Sequence, residues 1–477
     1  MKTQLTLCIS GTLTLIGMSG CEKTPERPMN VVYILADDLG YGDVGCYGQQ
    51  IIKTPNIDRM AKEGMLFTQH YAGCTVSAPS RCSLMTGLHT GHTQVRGNRE
   101  ITPEGQQPMR EDTYTLGKLM KSAGYTTGIF GKWGLGNPGS VSIPNKMGFD
   151  EFYGYNCQRQ SHSFYPDHLW HNEEKVLFPE NENNACKTYS QDLIHEQALK
   201  FIRDHKEQPF FAMLTYTLPH AELNLPHDSI YKMYENSFEE TPYIGKFDKV
   251  YGGYNTSEKP LASFAAMVSR LDKYVGDVMA ELKELGLDKN TIVIFTSDNG
   301  PWLTEHENGG SAGPLKDGKG TWWEGGFRVP AICWMLGKIN PAINDEIMTS
   351  MDLYPTFLSM AGIEQPKDLV LDGVNQTGLL FEEKHSARDE VYYWWGSELM
   401  AIRKGEWKYY FKTIKDQYLR TCKIETPAEP LLYNVETDIS ERFNQADKHP
   451  EIVKLLIEAG EKHKKGMKIK PSVCDMM

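Results

Sequence analysis

The strongest constraint on the fold of this chain is a series of short apolar runs that alternate with helical patterns. Four runs of apolar and β-branched residues are too short for typical helices, so each predicts a strand buried on both faces. Between them, apolar residues recur at helical spacing up to a glycine, which predicts helices. This alternation predicts an α/β protein with a sheet covered on both faces. The strands are Met29–Ala36, Thr126–Phe130, Phe210–Thr217 and Thr291–Thr296, and the helices are Thr54–Gly64, Thr115–Ala123 and Ser263–Leu285.

The C-terminal part of the chain has a different pattern. Paired aromatic residues at 392–395 precede an alternating run near Trp407–Phe411, and a final helix is predicted at Glu451–His463. A chain of 477 residues is also too long for one small core. We therefore predict a large domain at 28–376 and a smaller α+β domain with an antiparallel sheet at 377–477.

The first residues are typical of an export signal. A short basic start at Lys2 precedes the apolar stretch Leu5–Gly17, which is too short to span a bilayer, and then small residues lead to Cys21. This resembles a bacterial lipoprotein cleavage site, which implies removal of 1–20, a lipid on Cys21 that binds the membrane, and a location in the periplasm, outer membrane or cell surface. The alternative is an ordinary secretory signal with an incidental cysteine.

Charge and cysteine content exclude several classes of protein. The formal net charge of −12 argues against a nucleic-acid-binding protein, which would carry a basic patch. Of ten cysteines, setting aside Cys8 and Cys21 leaves eight, and none forms a CxxC pair, so a zinc ribbon is not expected. Some could form disulfides in an oxidising compartment, but the sequence does not give their pairing.

Polar motifs follow the predicted strands. In open α/β sheets the ligand site lies beyond the carboxyl ends of the strands, so these motifs should converge there. Two of the motifs supply carboxylate and amide oxygens, which suit Ca²⁺ or Mg²⁺ rather than zinc. Either motif alone is explained as well by a turn, but together they favour a metal site. The motifs are Asp37-Asp38, Gly131-Lys132, Pro219-His220 and Ser297-Asp298-Asn299-Gly300.

The segment Ser77-Ala78-Pro79-Ser80-Arg81 is the most specific motif, and it resembles the signature of the formylglycine-dependent sulfatases. It has the serine form found in bacterial carbohydrate sulfatases; nearby Cys74 lacks the proline two residues later. The resemblance covers nearly the whole mature chain. It also includes Asp37–Gly42, Gly131-Lys132-Trp133, Pro219-His220-Ala221, Ser297–Gly300, Gly318–Thr321 and Glu324-Gly325-Gly326.

The resemblance implies an alkaline-phosphatase-like fold, with a large, mostly parallel mixed sheet flanked by helices, and a role for each motif. A maturation enzyme would oxidise Ser77 to formylglycine, whose hydrated form attacks sulfur and later expels sulfate. Arg81 would hold this group, Lys132 and Lys319 would bind sulfate oxygens, and His220 would protonate the leaving sugar oxygen. The Ca²⁺ ligands would be Asp37, Asp38, Ser77, Asp298 and Asn299.

One position departs from the family pattern. Many members carry a histidine two residues after the lysine of Gly-Lys-Trp, where this chain has Gly134. That histidine contacts the formylglycine and can act as a base in the elimination step. His162 and His306 are candidate substitutes, and water or a ligand carboxylate is the alternative. Lys316 is a weaker candidate for binding sulfate and is expected to be a solvated charge.

The segment Cys157–Trp170 is rich in arginine, histidine and aromatic residues, a mixture that binds sugars. We predict a sulfated carbohydrate substrate of the galactose or N-acetylgalactosamine type, although a loop that only packs on the domain explains the segment equally well. The candidate substrate-binding residues are Arg96, Asn98, Arg159, His162 and His168.

Two alternative functions remain open at this point. A phosphohydrolase of the same fold would need a histidine-rich zinc site, and few histidines follow the predicted strands. A glycan-binding lipoprotein without catalysis is compatible with the glycine at position 134. Calcium content would separate the sulfatase from the first alternative, and sulfate release after maturation would separate it from the second.

Overall fold

The computed structural model describes residues 27–245, 254–303, 308–414 and 423–467. The predicted signal at 1–20, the candidate lipidation site Cys21 and the candidate base His306 lie outside these residues. Within the described part, no helix is both long and apolar enough to cross a membrane. Six cysteines fall within it, and no disulfide joins any two of them: Cys46, Cys74, Cys82, Cys157, Cys186 and Cys333.

Eighteen strands are found in the described residues. In chain order they are β1 Asn30–Ala36, β2 Met65–Phe67, β3 His70–Tyr71, β4 Thr126–Lys132, β5 Glu151–Tyr155, β6 His168–His171, β7 Glu174–Leu177, β8 Phe210–Thr215, β9 Thr291–Ser297, β10 Ala331–Trp334, β11 Ala342–Asn344, β12 Met348–Thr349, β13 Glu390–Trp395, β14 Glu398–Lys404, β15 Trp407–Tyr410, β16 Thr413–Ile414, β17 Ile424–Glu425 and β18 Leu431–Asn434.

Ten α-helices connect or flank these strands in the same described residues. They are α1 Pro55–Glu63, α2 Ser77–Thr86, α3 Leu116–Ser122, α4 Ser190–Asp204, α5 Ser229–Lys232, α6 Pro260–Glu284, α7 Glu324–Phe327, α8 Leu353–Met360, α9 Thr377–Phe381 and α10 Pro450–Gly466.

The central sheet has ten strands in the order β11-β2-β10-β9-β1-β8-β4-β5-β6-β7. The five strands from β9 to β5 are parallel to one another. Antiparallel pairs occur towards both edges, at β10 and at β6 and β7. This confirms the predicted large, mixed and mostly parallel sheet.

Helices cover both faces of the sheet, as the fully apolar strands require. Alternate residues of β1 point to opposite layers: Val32 and Ile34 pack with α1, α4 and α6, whereas Val31 and Tyr33 pack with α2, α3 and α8. Each buried side chain of this size stabilises the fold by about 1.5–3 kcal/mol, so neither face could be left in water. The two layers fix the central strands and, with them, the residues at their carboxyl ends.

The predicted elements agree with the observed ones to within a few residues. Thr115 caps α3 by accepting a hydrogen bond from the N–H of Lys118, and α2 ends at Gly87, whose φ of 67° favours glycine. Strand β4 runs two residues further than predicted and so carries Lys132 within the sheet. This extension places the lysine at the carboxyl edge instead of in a loop.

A separate sheet forms the smaller C-terminal domain, as predicted. It is antiparallel, with the order β13-β14-β15-β18, and α10 packs against β14 and β15. Helix α9 buries Leu379 and Leu380 in the layer beside the central sheet. The predicted boundary between 376 and 377 stays a prediction.

Candidate active site

Four neighbouring strands bring the predicted motifs to one edge of the central sheet. Asp37 and Asp38 follow β1, Asp298 follows β9, and Lys132 ends β4. His220 lies in the loop after β8, which is the strand between β1 and β4. All five side chains are buried. The convergence expected from the strand order is therefore present.

Ser77 is the first residue of α2 and is buried beside Asp37. Its Oγ donates a hydrogen bond to Asp37 Oδ1 at 3.1 Å. Lys132 Nζ lies 2.6 Å from Asp37 Oδ2 and 3.4 Å from Ser77 Oγ. The N-terminal end of a ten-residue helix also carries partial positive charge. Residue 77 therefore stands where negative charge is stabilised from two directions.

Arg81 lies one helical turn after Ser77 and connects the two acidic motifs. Its Nε and Nη2 donate to Asp298 Oδ2 at 3.1 and 2.9 Å. Its Nη1 donates to the carbonyl of Lys132 at 2.9 Å. Nη2 also lies 3.5 Å from Asp37 Oδ2. Arg81 thus fixes the relative positions of the strand ends around residue 77.

Asp38 is the centre of the second half of the site. Lys319 Nζ donates to Asp38 Oδ2 and Asn299 Nδ2 donates to Asp38 Oδ1, both at 2.7 Å. His220 Nε2 lies 3.4 Å from Asp38 Oδ2 and 3.4 Å from Lys319 Nζ. Asp38 has a φ of 63°, a backbone conformation that is uncommon outside glycine. Such outliers are typical of functional sites.

The oxygen atoms of this edge fit a hard divalent cation. Asn299 Oδ1 is buried and accepts no hydrogen bond from the described residues, although a buried amide oxygen normally has a partner. Burial raises the pKa of Asp298 to about 6, and the neighbouring Asp37 carboxylate adds to the rise. Crowded carboxylates with an open amide oxygen are a donor set for Ca²⁺.

The environment of His220 disfavours its protonated form. Burial lowers its pKa well below the ordinary value, and the cationic Lys319 lowers it further. His162 stacks on its ring, with centroids 4.8 Å apart and 10° between the planes. Burial also lowers the pKa of His162, and His220, Lys132 and Lys319 add to the effect. Of the two candidate substitutes for the family histidine, His162 is thus within the site.

Gly134 has a φ of 73°, which a histidine could adopt only with strain. A Cβ built on Gly134 would meet Gln158 Cγ at 3.3 Å and Arg81 Cδ at 3.8 Å. Gln158 therefore fills the space where a side chain from position 134 would begin. A histidine at position 134 would therefore need a different backbone conformation and a different position for Gln158.

The predicted substrate-binding residues are dispersed. Asn98 is adjacent to the nucleophile position, since its Oδ1 accepts from the N–H of Ala78 at 2.9 Å. Arg159 donates to the Glu100 carboxylate through Nε at 2.9 Å. His168 uses both ring nitrogens, at 2.7 Å from Asp167 and 3.1 Å from Glu104.

Arg96 lies in a different cavity. Its Nε donates to the carbonyl of Thr93 at 2.9 Å, and it lines a cavity of about 500 Å³ that includes Thr86, at the far end of α2 from Ser77. Lys316 is not the solvated charge that was expected. It is half-buried, with Nζ 3.2 Å from the ring centroid of Trp323. Two residues of the C-terminal domain also cover it: the Tyr433 ring lies 5.6 Å from Nζ, and the Glu441 carbonyl accepts from Nζ at 3.4 Å.

Three residues of the site, Tyr254, Trp302 and Gln158, were not among the predicted candidates. Tyr254 and Trp302 have ring centroids 5.9 and 5.7 Å from that of His220. Gln158 donates to Asn98 Oδ1 at 3.4 Å. Trp302 could have been suspected from its place just after Ser297–Gly300, whereas Tyr254 lies in no motif.

Comparison with known families and proteins gives consistent matches. The family described as Sulfatase matches residues 29–363, and the family described as C-terminal region of aryl-sulfatase matches 386–477. The chain is 34% identical to N-acetylgalactosamine-6-sulfatase of Canis lupus familiaris, over 83% of this chain and 73% of that protein. It is 31% identical to arylsulfatase A of Homo sapiens, over 90% and 86% of the two chains.

Solved structures show the same similarity. Ps i-CgsB in complex with k-i-k-neocarrahexaose has a TM-score of 0.75 and 28% identity, covering 92% of this chain and 93% of that one. The PsFucS1 sulfatase from Pseudoalteromonas sp. has a TM-score of 0.78 and 25% identity, covering 94% and 92%. A phosphonate monoester hydrolase of Agrobacterium radiobacter, at 20% identity and a TM-score of 0.62, shares the fold.

Proposed function

Because this chain belongs to the sulfatase family and is a sulfuric ester hydrolase, we propose that it removes sulfate from a galactose- or N-acetylgalactosamine-type glycan. The nucleophile is a formylglycine made from Ser77, and the metal is Ca²⁺. The observation that carries this proposal is the buried contact of Ser77 Oγ with Asp37 and Lys132 at the N-terminus of α2.

The charged side chains support attack on a sulfate ester. Lys132 lies beside Asp37 and Lys319 beside Asp38, so each of the two adjacent carboxylates has a lysine partner. Because both ammonium groups are buried, they act on developing negative charge through a medium of low dielectric constant. Arg81 holds the backbone of Lys132 and the Asp298 carboxylate, so these groups need little reorganisation during the reaction.

His220 is placed to act on the leaving group. Its Nε2 lies beside Lys319 Nζ and Asp38 Oδ2, next to the proposed sulfate position. We assign it the protonation of the leaving sugar oxygen. A proton placed there is readily released, because the neighbouring cation disfavours the imidazolium.

Asp37, Asp38, residue 77, Asp298 and Asn299 would hold the Ca²⁺. When bound, the ion would draw electron density from the sulfate oxygens and neutralise the carboxylates. For the base that Gly134 does not supply, we propose His162. Its support is the stack on His220. In addition to burial, which lowers the pKa of His162, Lys132 lowers and Asp37 raises that pKa, so both residues are close enough to act on its ring.

The choice of glycan rests on the relatives. N-acetylgalactosamine-6-sulfatases are among them, and a carrageenan oligosaccharide is bound in one similar structure. We further propose oxidation of Ser77 by a dedicated enzyme, and export as a lipoprotein anchored through Cys21. The latter is supported by the sequence at 1–21.

The test is sulfate release by protein produced together with a serine-type formylglycine-generating enzyme. The substrates are 4- and 6-sulfates of galactose and N-acetylgalactosamine, and mass spectrometry follows the peptide that contains Ser77. We expect release that requires conversion and is lost in Ser77→Ala, whereas Cys74→Ala should leave the conversion of Ser77 intact.

Calcium in the purified protein supports the proposal. Zinc at this edge, with release of phosphate instead of sulfate, would favour a phosphohydrolase. Binding of sulfated glycans with no release after complete conversion would favour a non-catalytic protein.

A further inference from the structure

The outer part of the candidate active site is aromatic, in contrast to the charged residues beneath it. His162, Tyr254 and Trp302 surround the ring of His220, and we call these three residues the ring wall. Tyr254 and Trp302 lie 5.9 Å apart, with their planes at 70°. The three rings are half-buried, while Asp38 and Lys319 below them are buried. The rings are therefore more exposed than the charged side chains that they border.

The ring wall is anchored to the catalytic residues. Asn255, the residue after Tyr254, donates through N–H and Nδ2 to the buried Glu222 carboxylate at 3.1 and 2.5 Å. Glu222 lies two residues after His220 in the same loop. On the other side, Lys319 Nζ lies 4.8 Å from the ring centroid of Trp302. The rings therefore keep a defined position relative to the proton donor.

The leaving sugar must lie beside His220. In the proposed function, His220 protonates the oxygen that joins sulfur to the sugar, so the sugar ring begins one bond beyond that oxygen. Trp302 Nε1 is buried and makes no hydrogen bond to the described residues. An unsatisfied buried donor is unusual and points to a ligand. Lys319 Nζ lies over the Trp302 ring, so a sugar would stack on the part of the half-buried indole that Lys319 does not cover.

We propose that the ring wall binds the pyranose ring of the leaving sugar and that Trp302 is the residue on which the ring stacks. This assignment rests on the proposed function. A pyranose with one axial hydroxyl presents a face of C–H groups on the opposite side, and such a face packs well on an indole. Apolar ring faces with a few placed donors are the usual composition of a small-molecule site.

The test is titration calorimetry on the unconverted chain, in which Ser77 remains serine and no turnover occurs. The probes are N-acetylgalactosamine 6-sulfate and inorganic sulfate, both with Ca²⁺ present. In Trp302→Leu, the Kd for the sugar sulfate should rise about tenfold, while the Kd for inorganic sulfate changes less than about twofold. Trp302→Phe should retain most of the affinity for the sugar.

Trp170→Phe is the matched control, since Trp170 is half-buried and bonded to Glu104 outside the ring wall. It should change neither Kd. Three results would overturn the proposal: an unchanged Kd for the sugar in Trp302→Leu, an equal loss of both ligands, or a wild-type chain that binds the sugar sulfate no tighter than sulfate. Failure of sulfate release by the converted enzyme would instead refute the proposed function.

Discussion

Two clusters of buried charge in this molecule look alike in composition but differ in how their polar atoms are used. The catalytic cluster contains Asp37, Asp38, Asp298, Arg81, Lys132, Lys319 and His220 at the carboxyl edge of the central sheet. The interdomain cluster contains Glu324, Arg328 and Tyr71 of the large domain and Tyr393, Arg403, Lys408, Tyr410 and Glu441 of the small one.

In the interdomain cluster, protein groups occupy every carboxylate oxygen. Glu324 accepts from Lys408 Nζ at 2.8 Å and Tyr393 Oη at 3.3 Å on Oε1, and from Tyr71 Oη at 2.6 Å on Oε2. Glu441 accepts from the N–H of Glu324 at 2.7 Å and from Tyr410 Oη. This cluster joins the two domains and leaves no carboxylate oxygen open for a ligand.

The carboxylate oxygens of Asp37, Asp38 and Asp298 in the catalytic cluster also accept hydrogen bonds from protein groups. The clusters differ in their other polar atoms. Among the described residues, the interdomain cluster leaves a donor, Arg328 Nη1, without a hydrogen-bond partner, whereas the catalytic cluster leaves atoms that can bind a cation or a substrate. Asn299 Oδ1 and His220 Nδ1 are buried and have no hydrogen-bond partner among the described residues.

Burial raises the pKa of Asp298 to about 6. Burial also raises the pKa of Glu324, but Lys408 and Arg403 outweigh it and lower the value to about 2. In each cluster another carboxyl shifts the other way: burial raises the pKa of Glu441, whereas burial of Asp37 is outweighed by Lys132 and the neighbouring cations, which lower its pKa. The open atoms, and not the pKa values, therefore separate the two clusters, and they support the proposal that a cation and a substrate complete the catalytic one.

The comparison is tested most strongly by removing one lysine from each cluster. In the catalytic cluster, Lys132→Ala removes a buried cation beside residue 77, and kcat should fall about 10²–10³-fold. With Ca²⁺ present its free energy of unfolding should change less than that of the interdomain variant, because the proposed cation still neutralises Asp37, whereas no ligand replaces Lys408. Sulfate release and urea unfolding measure the two effects, and near-normal kcat would contradict the assigned role.

In the interdomain cluster, Lys408→Met should lower the free energy of unfolding by about 3–5 kcal/mol, because Glu324 loses its buried partner. Chemical denaturation measures this change. Lys454→Met is the matched control, since Lys454 is exposed and only 4.0 Å from Glu458, and it should change stability by less than about 0.5 kcal/mol. If both variants lowered the free energy of unfolding by the same amount, the interdomain cluster would not be what stabilises the contact between the domains.

Ca²⁺ should raise the free energy of unfolding of the protein by binding at the catalytic cluster and not at the interdomain cluster. At 100 times the Kd, the gain is about 2.7 kcal/mol, measured as a rise in Tm after removal of metal with a chelator. Asn299→Ala should reduce the gain at a fixed Ca²⁺ concentration. Lys408→Met should keep it, and loss of the gain in that variant would show that the two clusters are coupled.

The smallest expected effect is on the pH dependence of the free energy of unfolding. The pKa of Glu324 is lowered from 4.5 to about 2, so its contribution to stability is fully present above its unfolded value and is lost as pH falls towards 2. Glu324→Gln should therefore flatten part of the fall in unfolding free energy between pH 5 and pH 3. An unchanged slope would contradict a charged Glu324 in the folded state.

The sequence predicts those parts of the molecule that depend on local pattern. Strand ends such as Asp37-Asp38 and Ser297–Gly300 follow recognisable apolar runs, and parallel strand order then brings them together. The ring wall depends on where residues distant in the chain meet, so Tyr254 could not be found. His168 and Arg159 have the residue types of a sugar site, but Glu104 and Glu100 bind them. Their partners lie some sixty residues away, beyond any local signal.

The central claim is that residue 77 becomes the nucleophile only after oxidation. The most direct measurement is the turnover number of preparations that contain different fractions of converted chain, determined by mass spectrometry of the peptide with Ser77. The account predicts that turnover is proportional to the converted fraction and extrapolates to zero for unmodified serine. Full turnover by unconverted chain, or none by fully converted chain with Ca²⁺ and the panel of sulfated sugars, would contradict it.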